Sequence, residues 1–377
     1  MLDLPQEIII NILSKMPTKS LIRFRSVCKH WQRLITDPGF IEIHLNQSVG
    51  NKSSVIITMD KLDLYSVNYD KHDDNMDIVK LDNPFLQFHY SIISVVGSCN
   101  GLLLVDLIKS RSSLSMTFLW NPSTREYRRL PHLPVEFKGH DFSSWALVHH
   151  PKRKDYEVVR IVRYDVDNGL RNHSYRVEVL VYILGTDSWR RIGDSPWHID
   201  NGRLPAQLVA GAPHWMGTTR DLSRQIIVSF DVEIEEFQVV ELPNNLGDAG
   251  WEFEFRLGVL DGFLSLFHFA YAEYLDVWVM KDYGIKESWT KLFTVTQQPM
   301  LQYYYIVSSP FELLRNGEIL LLESVDNEPR KRMFYDPKNQ SFRELKVLDE
   351  FDWFVMGSYI GSLVPIEAED SFEGRQG

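Results

Sequence analysis

Apolar positions in the first fifty residues follow a helical spacing. Leu4, Ile8, Ile9, Ile12, Leu13 and Met16 recur three or four apart, as on one face of an amphipathic helix, and Pro5 sits where a first helical turn tolerates a missing N–H. Pro17 ends that helix. Thr18 or Ser20 can cap a second helix bearing Leu21, Ile22 and Phe24, and Ser26 a third bearing Val27, Trp31, Leu34 and Ile35. Asp37-Pro38-Gly39 is expected to stop the third, so the pattern predicts a small three-helix unit over residues 1–48. So small a unit hides a low fraction of its surface, and is expected to leave an apolar face for a protein partner or for the rest of the chain.

After residue 48 the pattern becomes short apolar strands bounded by Gly, Pro, Asn and Asp, which predicts a mainly β body over 49–365. Two markers recur through it. Aromatic residues after a polar turn stand at Tyr127, Trp189, Phe237, Trp289 and Phe342, spaced 62, 48, 52 and 53 residues apart. Glycines that open an apolar strand, Gly101, Gly211, Gly262 and Gly317, each precede such an aromatic by 25 to 27 residues. A period near fifty with two markers in phase fits a four-stranded propeller blade, and a weaker first copy at Leu64–Val79 makes six. The expected fold is a kelch-like β-propeller of six blades, with a two-sheet sandwich as the competing architecture. Residues 366–377 are acidic and poor in apolar side chains, and are expected to form a disordered tail.

Composition narrows the function. In 377 residues, 44% are hydrophobic and 12% aromatic, which is ample for a folded core. The net charge of −11 disfavours nucleic acid as the main partner. Residues 1–48 carry six basic and four acidic side chains, net +2, leaving −13 on the remainder; this asymmetry favours an acidic protein partner for the helices. Two cysteines, Cys28 and Cys99, are too few for a disulfide framework or a structural zinc site, and both are expected to be small buried hydrophobes. No run of about 18 apolar residues suggests a membrane span, and no basic-then-apolar leader opens the sequence, so a cytoplasmic or nuclear protein is expected.

Sequence signatures of nucleotide, nicotinamide, hydrolase or zinc-protease chemistry are missing, and no cofactor is expected. His149 and His150 would point to opposite faces of a strand and not share a metal. Asp165–Gly169 has the wrong spacing for a calcium loop. The phased aromatics read as blade packing. Aromatics off the repeat, Trp197 with His198, Trp251, and Tyr303, Tyr304 and Tyr305, are the candidates for recognising a protein substrate from loops.

The run Leu4-Pro5-Gln6-Glu7-Ile8-Ile9, continuing through Leu13-Ser14-Lys15-Met16-Pro17 to Arg25-Ser26-Val27-Cys28-Lys29-His30-Trp31, Asp37-Pro38-Gly39-Phe40 and His44-Leu45, resembles an F-box almost position for position. The resemblance implies binding to the Skp adaptor and, through it, to a cullin-RING ubiquitin ligase. By matching position, Leu4, Pro5, Ile8, Leu13, Pro17, Leu21, Val27, Cys28 and Trp31 would contact the adaptor or hold the helices that do. Gly97-Ser98-Cys99-Asn100-Gly101-Leu102, Trp120-Asn121-Pro122-Ser123-Thr124-Arg125 and Gly185-Thr186-Asp187-Ser188-Trp189-Arg190 are similar to the plant kelch-like F-box-associated interaction domain. That family implies a non-catalytic receptor subunit of an SCF (Skp-cullin-F-box) ligase, which binds a protein substrate for ubiquitination and proteasomal degradation, with members in self-incompatibility and immune-receptor turnover. The alternative is a propeller enzyme or glycan-binding module with the helices as a docking element, but no repeat-phased set of carboxylates or histidines supports it.

Overall fold

The computed structural model describes residues 5–49, 54–59, 62–68, 77–109, 115–133, 142–166, 174–199, 205–221, 223–244, 246, 253–270, 273–296, 312–313, 317–322, 332–344 and 353–366. The chain forms two compact units: residues 1–68, 76–130 and 357–377, and residues 69–75 and 131–356. Among the described residues six antiparallel sheets follow the helices, in agreement with the six blades expected.

The first unit opens with four helices, not three: α1 (Gln6–Leu13), α2 (Thr18–Phe24), α3 (Lys29–Ile35) and α4 (Pro38–Val49). Pro38, expected only to terminate, occupies the first position of α4, where its missing N–H is harmless, and the Asp37 carboxylate accepts the Phe40 N–H at 3.1 Å. The same dipeptide therefore ends one helix and starts the next. Sheet I is ordered Trp353–Tyr359, Ser54–Met59, Asp63–Asn68, Asp77–Lys80. Sheet II is a meander of Ile92–Cys99, Leu102–Ile108, Ser115–Trp120 and Tyr127–Arg129. Ile366, expected in the tail, is buried, so an exposed tail could begin no earlier than residue 367, outside the described residues.

The second unit holds four sheets. Sheet III comprises Phe142–His150, Asp155–Val166, Ser174–Ile183 and Ser188–Asp194. Sheet IV has a first strand in two pieces, His198–Ile199 and Gln207–Val209, both paired with Ala212–Thr218, followed by Gln225–Asp231 and Glu236–Val240. Sheet V comprises Phe253–Leu260, Phe263–Ala270, Tyr274–Met280 and Trp289–Val295. Sheet VI comprises Glu312–Leu313, Ile319–Leu322, Arg332–Asp336 and Ser341–Glu344.

Sheets III to VI pack face against face, because successive residues of a strand point to opposite sides. Ile226, Val228 and Phe230 join Val159, Val179 and Val181 of sheet III, while Ile227 joins Leu264 and Leu266 of sheet V. In sheet V, Phe267 and Val277 turn the other way, toward Tyr335 of sheet VI. Middle strands buried on both faces read as continuous apolar runs, as in Gln225-Ile226-Ile227-Val228-Ser229-Phe230. Outer strands such as Ser188–Asp194 carry the exposed charges.

Both sequence markers have a local cause. Asn100-Gly101, Ala210-Gly211 and Asp261-Gly262 are two-residue turns in which both residues have positive φ, the type I′ geometry that suits right-twisted hairpins. In sheets II to VI the phased aromatic is the first or second residue of the fourth strand, and in three of them its ring meets that of the third-strand aromatic opposite: Tyr182 with Trp189, Phe230 with Phe237 and Tyr335 with Phe342, with ring centroids 5.4, 5.0 and 4.9 Å apart. They are packing residues, as expected.

Polar links supplement this packing. The Trp289 indole N–H donates to the Glu241 carbonyl at 2.9 Å, and Arg190 forms a two-pronged ion pair with Glu235, which raises the guanidinium pKa and lowers that of the carboxyl. His214 is buried in sheet IV. Its Nδ1 lies 3.2 Å from the Gln207 carbonyl and must donate to it, leaving Nε2 to accept from the Tyr283 hydroxyl at 2.8 Å. Burial pushes the imidazole down to about 4.

Two tests follow from these local geometries. Ala210 is a β-carbon residue held at φ 51°, where Asn is better tolerated, so Ala210→Asn should raise the unfolding free energy by about 1 kcal/mol in urea titration. A destabilised variant contradicts the turn assignment. Because the folded His214 pKa lies below the unfolded value, its neutral form stabilises the fold above pH 6.5 and that contribution falls as pH drops toward 4. The stability difference between wild type and His214→Gln should narrow by roughly 3 kcal/mol between pH 7 and 4, on a scale of 1.36 kcal/mol per pKa unit. A pH-independent difference contradicts it.

Candidate functional site

Among the described residues no group of three His, Cys, Asp or Glu side chains could hold a metal ion, and no helix is long and apolar enough to cross a membrane. His149 and His150 occupy opposite faces as expected: His149 meets the Tyr156 ring, while buried His150 accepts the Arg153 N–H through Nδ1 at 3.2 Å. Exposed apolar side chains rimmed by charge mark surfaces that can bind another protein.

The helical unit presents such a surface. In α1, Leu13 turns inward to a core with Leu21, Leu34, Ile35 and Phe40, while Ile9 and Ile10 pack at its margin. The opposite stripe is left out: Pro5 is exposed at the N-cap, and Ile8 and Ile12, one turn apart, are 45% and 52% exposed. Val27, ahead of α3, is 62% exposed, and Ile43 of α4 is also open. Lys15, Lys19, Arg23, Lys29 and Arg33 are exposed on the same small unit, so its apolar residues are accompanied by positive charge. Scattered apolar residues on a surface are ordinary. A stripe of isoleucines on a helix whose other side is already buried is less so.

The residues singled out from the sequence divide by burial. Pro5, Ile8, Pro17, Val27 and Cys28 are at the surface; Leu13 and Leu21 are core; Trp31 is half-buried, edge-on to Phe24 at 5.4 Å. Leu4 lies outside the described residues. Cys28 departs from expectation. It is exposed, because it is the N-cap of α3 and not part of its apolar face, and its sulfur accepts the Trp31 N–H at 3.5 Å. Cys99 is half-buried, not fully buried, at the end of a strand. Leu363, which joins the helical core from more than three hundred residues away, lacked a sequence signal as part of this unit; His44, within the run that resembles an F-box, is buried, with Nε2 3.0 Å from the Met16 carbonyl and a pKa lowered by burial.

In the β body, connections fall into two sets. Each meander sends its first-to-second and third-to-fourth turns out of one end, and its remaining connections out of the other. The first set is short and conformationally defined, as in the turns at 100–101, 210–211 and 261–262 and in the carboxylate-capped turn at Asp231, whose Oδ1 accepts the Glu233 N–H at 2.8 Å. Trp197 falls between the fourth strand of sheet III and the first of sheet IV, at the opposite end; in chain order Trp251 and Tyr303, Tyr304 and Tyr305 also come between a fourth strand and the first strand of the next sheet. Trp251 and the three tyrosines lie outside the described residues. Trp197 packs half-buried against the core between sheets III and IV, with its N–H on the Ser195 hydroxyl at 3.1 Å, and His198 lies in a short strand with Nε2 3.3 Å from the Arg220 carbonyl.

Comparison with known proteins accounts for both parts. Residues 1–42 match the F-box domain profile, and residues 54–366 match the F-box associated beta propeller domain. The chain is 30% identical over 370 residues to F-box protein CPR1 of Arabidopsis thaliana, covering 93% of this chain and 86% of that one. It is 29% identical over 396 residues to F-box protein At3g07870 of the same plant, covering 96% and 91%. An F-box/kelch-repeat protein, At3g23880 of Arabidopsis thaliana, is 28% identical across 78% of this chain and 79% of its own length. With four helices leading into six blade-like sheets and both profiles matched in that order, the chain belongs to the F-box proteins that carry an F-box-associated β-propeller.

Proposed function

We propose that the protein is the substrate-recognition subunit of an SCF ubiquitin ligase, with residues 1–48 binding the Skp adaptor and residues 49–365 holding a protein substrate for ubiquitination and proteasomal degradation. The observation that carries this reading is the exposed stripe of Pro5, Ile8 and Ile12, with Val27 and Cys28, on helices whose opposite face is already filled. Burying an isoleucine fully contributes roughly 1.5–3 kcal/mol, so a few such side chains suffice to anchor a partner. The surrounding lysines and arginines favour an acidic adaptor and speed its approach.

In this reading the contribution is non-catalytic. A receptor that holds adaptor and substrate at once raises the local concentration of substrate lysines near the charged enzyme, and needs no reactive group of its own. The sheet ends with the longer connections, which carry Trp197, Trp251 and Tyr303–Tyr305, are the proposed substrate end, because variable connections on a packed scaffold can change without disturbing it. A cytoplasmic or nuclear location accords with this work.

Replacing Ile8 and Ile12 by aspartate in the full chain should weaken capture of purified Skp adaptor at least about tenfold, the effect of 1.4 kcal/mol, and leave the thermal midpoint within about 2 °C of wild type, since both side chains are already exposed. Undiminished capture by the folded double variant refutes the assigned adaptor surface.

A further inference from the structure

Residues Tyr359–Ile366 lie between the F-box helices and the turn end of sheet II. On one side, Leu363 is 1% exposed and forms part of the core made by Leu13, Leu21, Leu34, Ile35 and Phe40. Gly361 passes so close to α2 that a β-carbon there would stand 3.0 Å from the Thr18 hydroxyl. On the other side, the Asn121 amide donates to the carbonyls of Ser362 and Val364 at 3.2 and 2.8 Å. The Ser123 hydroxyl meets the Tyr359 hydroxyl at 2.7 Å and accepts the Ser362 N–H at 3.3 Å, and Glu126 accepts the Ile366 N–H at 2.9 Å. Gly101 completes the seat, since a β-carbon at that position would lie 2.2 Å from Ser362 Cβ.

The equivalent turns of other sheets show what is special here. Asp231 and Asp336 accept N–H groups two residues on, from Glu233 and Lys338, each at 2.8 Å. Asn121 does the same for Ser123 at 2.9 Å. An aspartate would serve that turn equally well. Only an amide also supplies N–H donors to the two carbonyls of the passing segment, which accounts for asparagine at this turn.

We infer that Tyr359–Ile366 is a clamp that completes the F-box core and fixes the helices on sheet II, so that the F-box can engage its partner only while this segment is seated. The part concerning the partner rests on the adaptor reading above; the part concerning the helices does not. The F-box would then not be an autonomous module at the head of the chain, and loss of the far segment would act on adaptor binding without touching the adaptor surface.

Hydrogen exchange and adaptor capture, measured on full-length wild type, Asn121→Asp and Leu363→Ala, test this. Asn121→Asp keeps the turn acceptor but sets a carboxylate against two carbonyls; Leu363→Ala removes the plug from the helical core. Each is expected to speed exchange in α1–α4 and Ile360–Ile366 at least about tenfold, with sheets III to VI still protected, and to weaken capture of the Skp adaptor by a comparable factor. Should Leu363→Ala unfold the whole chain, Leu363→Val is measured in its place and judged by the same criterion. Unchanged exchange in the helices of both variants overturns the clamp. Wild type that fails to capture the adaptor refutes the ligase reading, and the exchange data still decide the clamp.

Discussion

Ile226, Val228 and Phe230 point toward one neighbouring sheet while Ile227, among them, points toward the other, and this two-sided burial is the constraint on which sheets III to VI depend. A strand in that position has no solvent face, so its residues must be apolar on both sides and its backbone must be fully paired within its own sheet. While the carboxylates buried in the middle strands of sheets III and V, Glu157, Glu178 and Asp276, are paired with Arg153, Arg191 and Lys291, most exposed charge lies in the fourth strands and the turns, where Arg190–Glu235 and Lys286–Glu241 ion pairs form. Exposed pairs of this kind are individually weak, about 0–1 kcal/mol, so cohesion comes from the apolar interlock and the charges refine it.

That division explains where function can reside. A two-residue type I′ turn fixes its own geometry and leaves little freedom, and in sheet II the turn end is occupied by Tyr359–Ile366. Connections from one sheet to the next can differ in length and content at little cost to the sheets. The helices add the complementary case: a core too small to enclose all its isoleucines, which keeps Ile8 and Ile12 outside.

Sequence patterns reveal this architecture where the cause is local. Gly101, Gly211 and Gly262 were readable as markers because both residues of a type I′ turn need positive φ, and Trp189, Phe237 and Phe342 because each faces a third-strand aromatic only a few residues earlier. Local cues misled where one residue serves two roles. Pro38 reads as a stop yet starts α4, and Cys28 falls on an apolar period yet caps α3 at the surface. Leu363 and the Asn121 contacts, 241 and 243 residues apart in the chain, have no local signature at all, since nothing near residue 363 records a helical core at residues 13–40. Trp197 illustrates a further limit: lying off the repeat marked it for recognition, but packing against the core between sheets III and IV already occupies much of its surface.

The proposed attachment of this chain to a ligase scaffold through its helices can be read from a mixture of the purified full chain and a purified Skp adaptor, by measuring the mass of the species in solution with light scattering coupled to size exclusion. A stable one-to-one complex that persists at physiological salt is expected, because apolar burial anchors it and charge only assists. Two separate species under those conditions would contradict it.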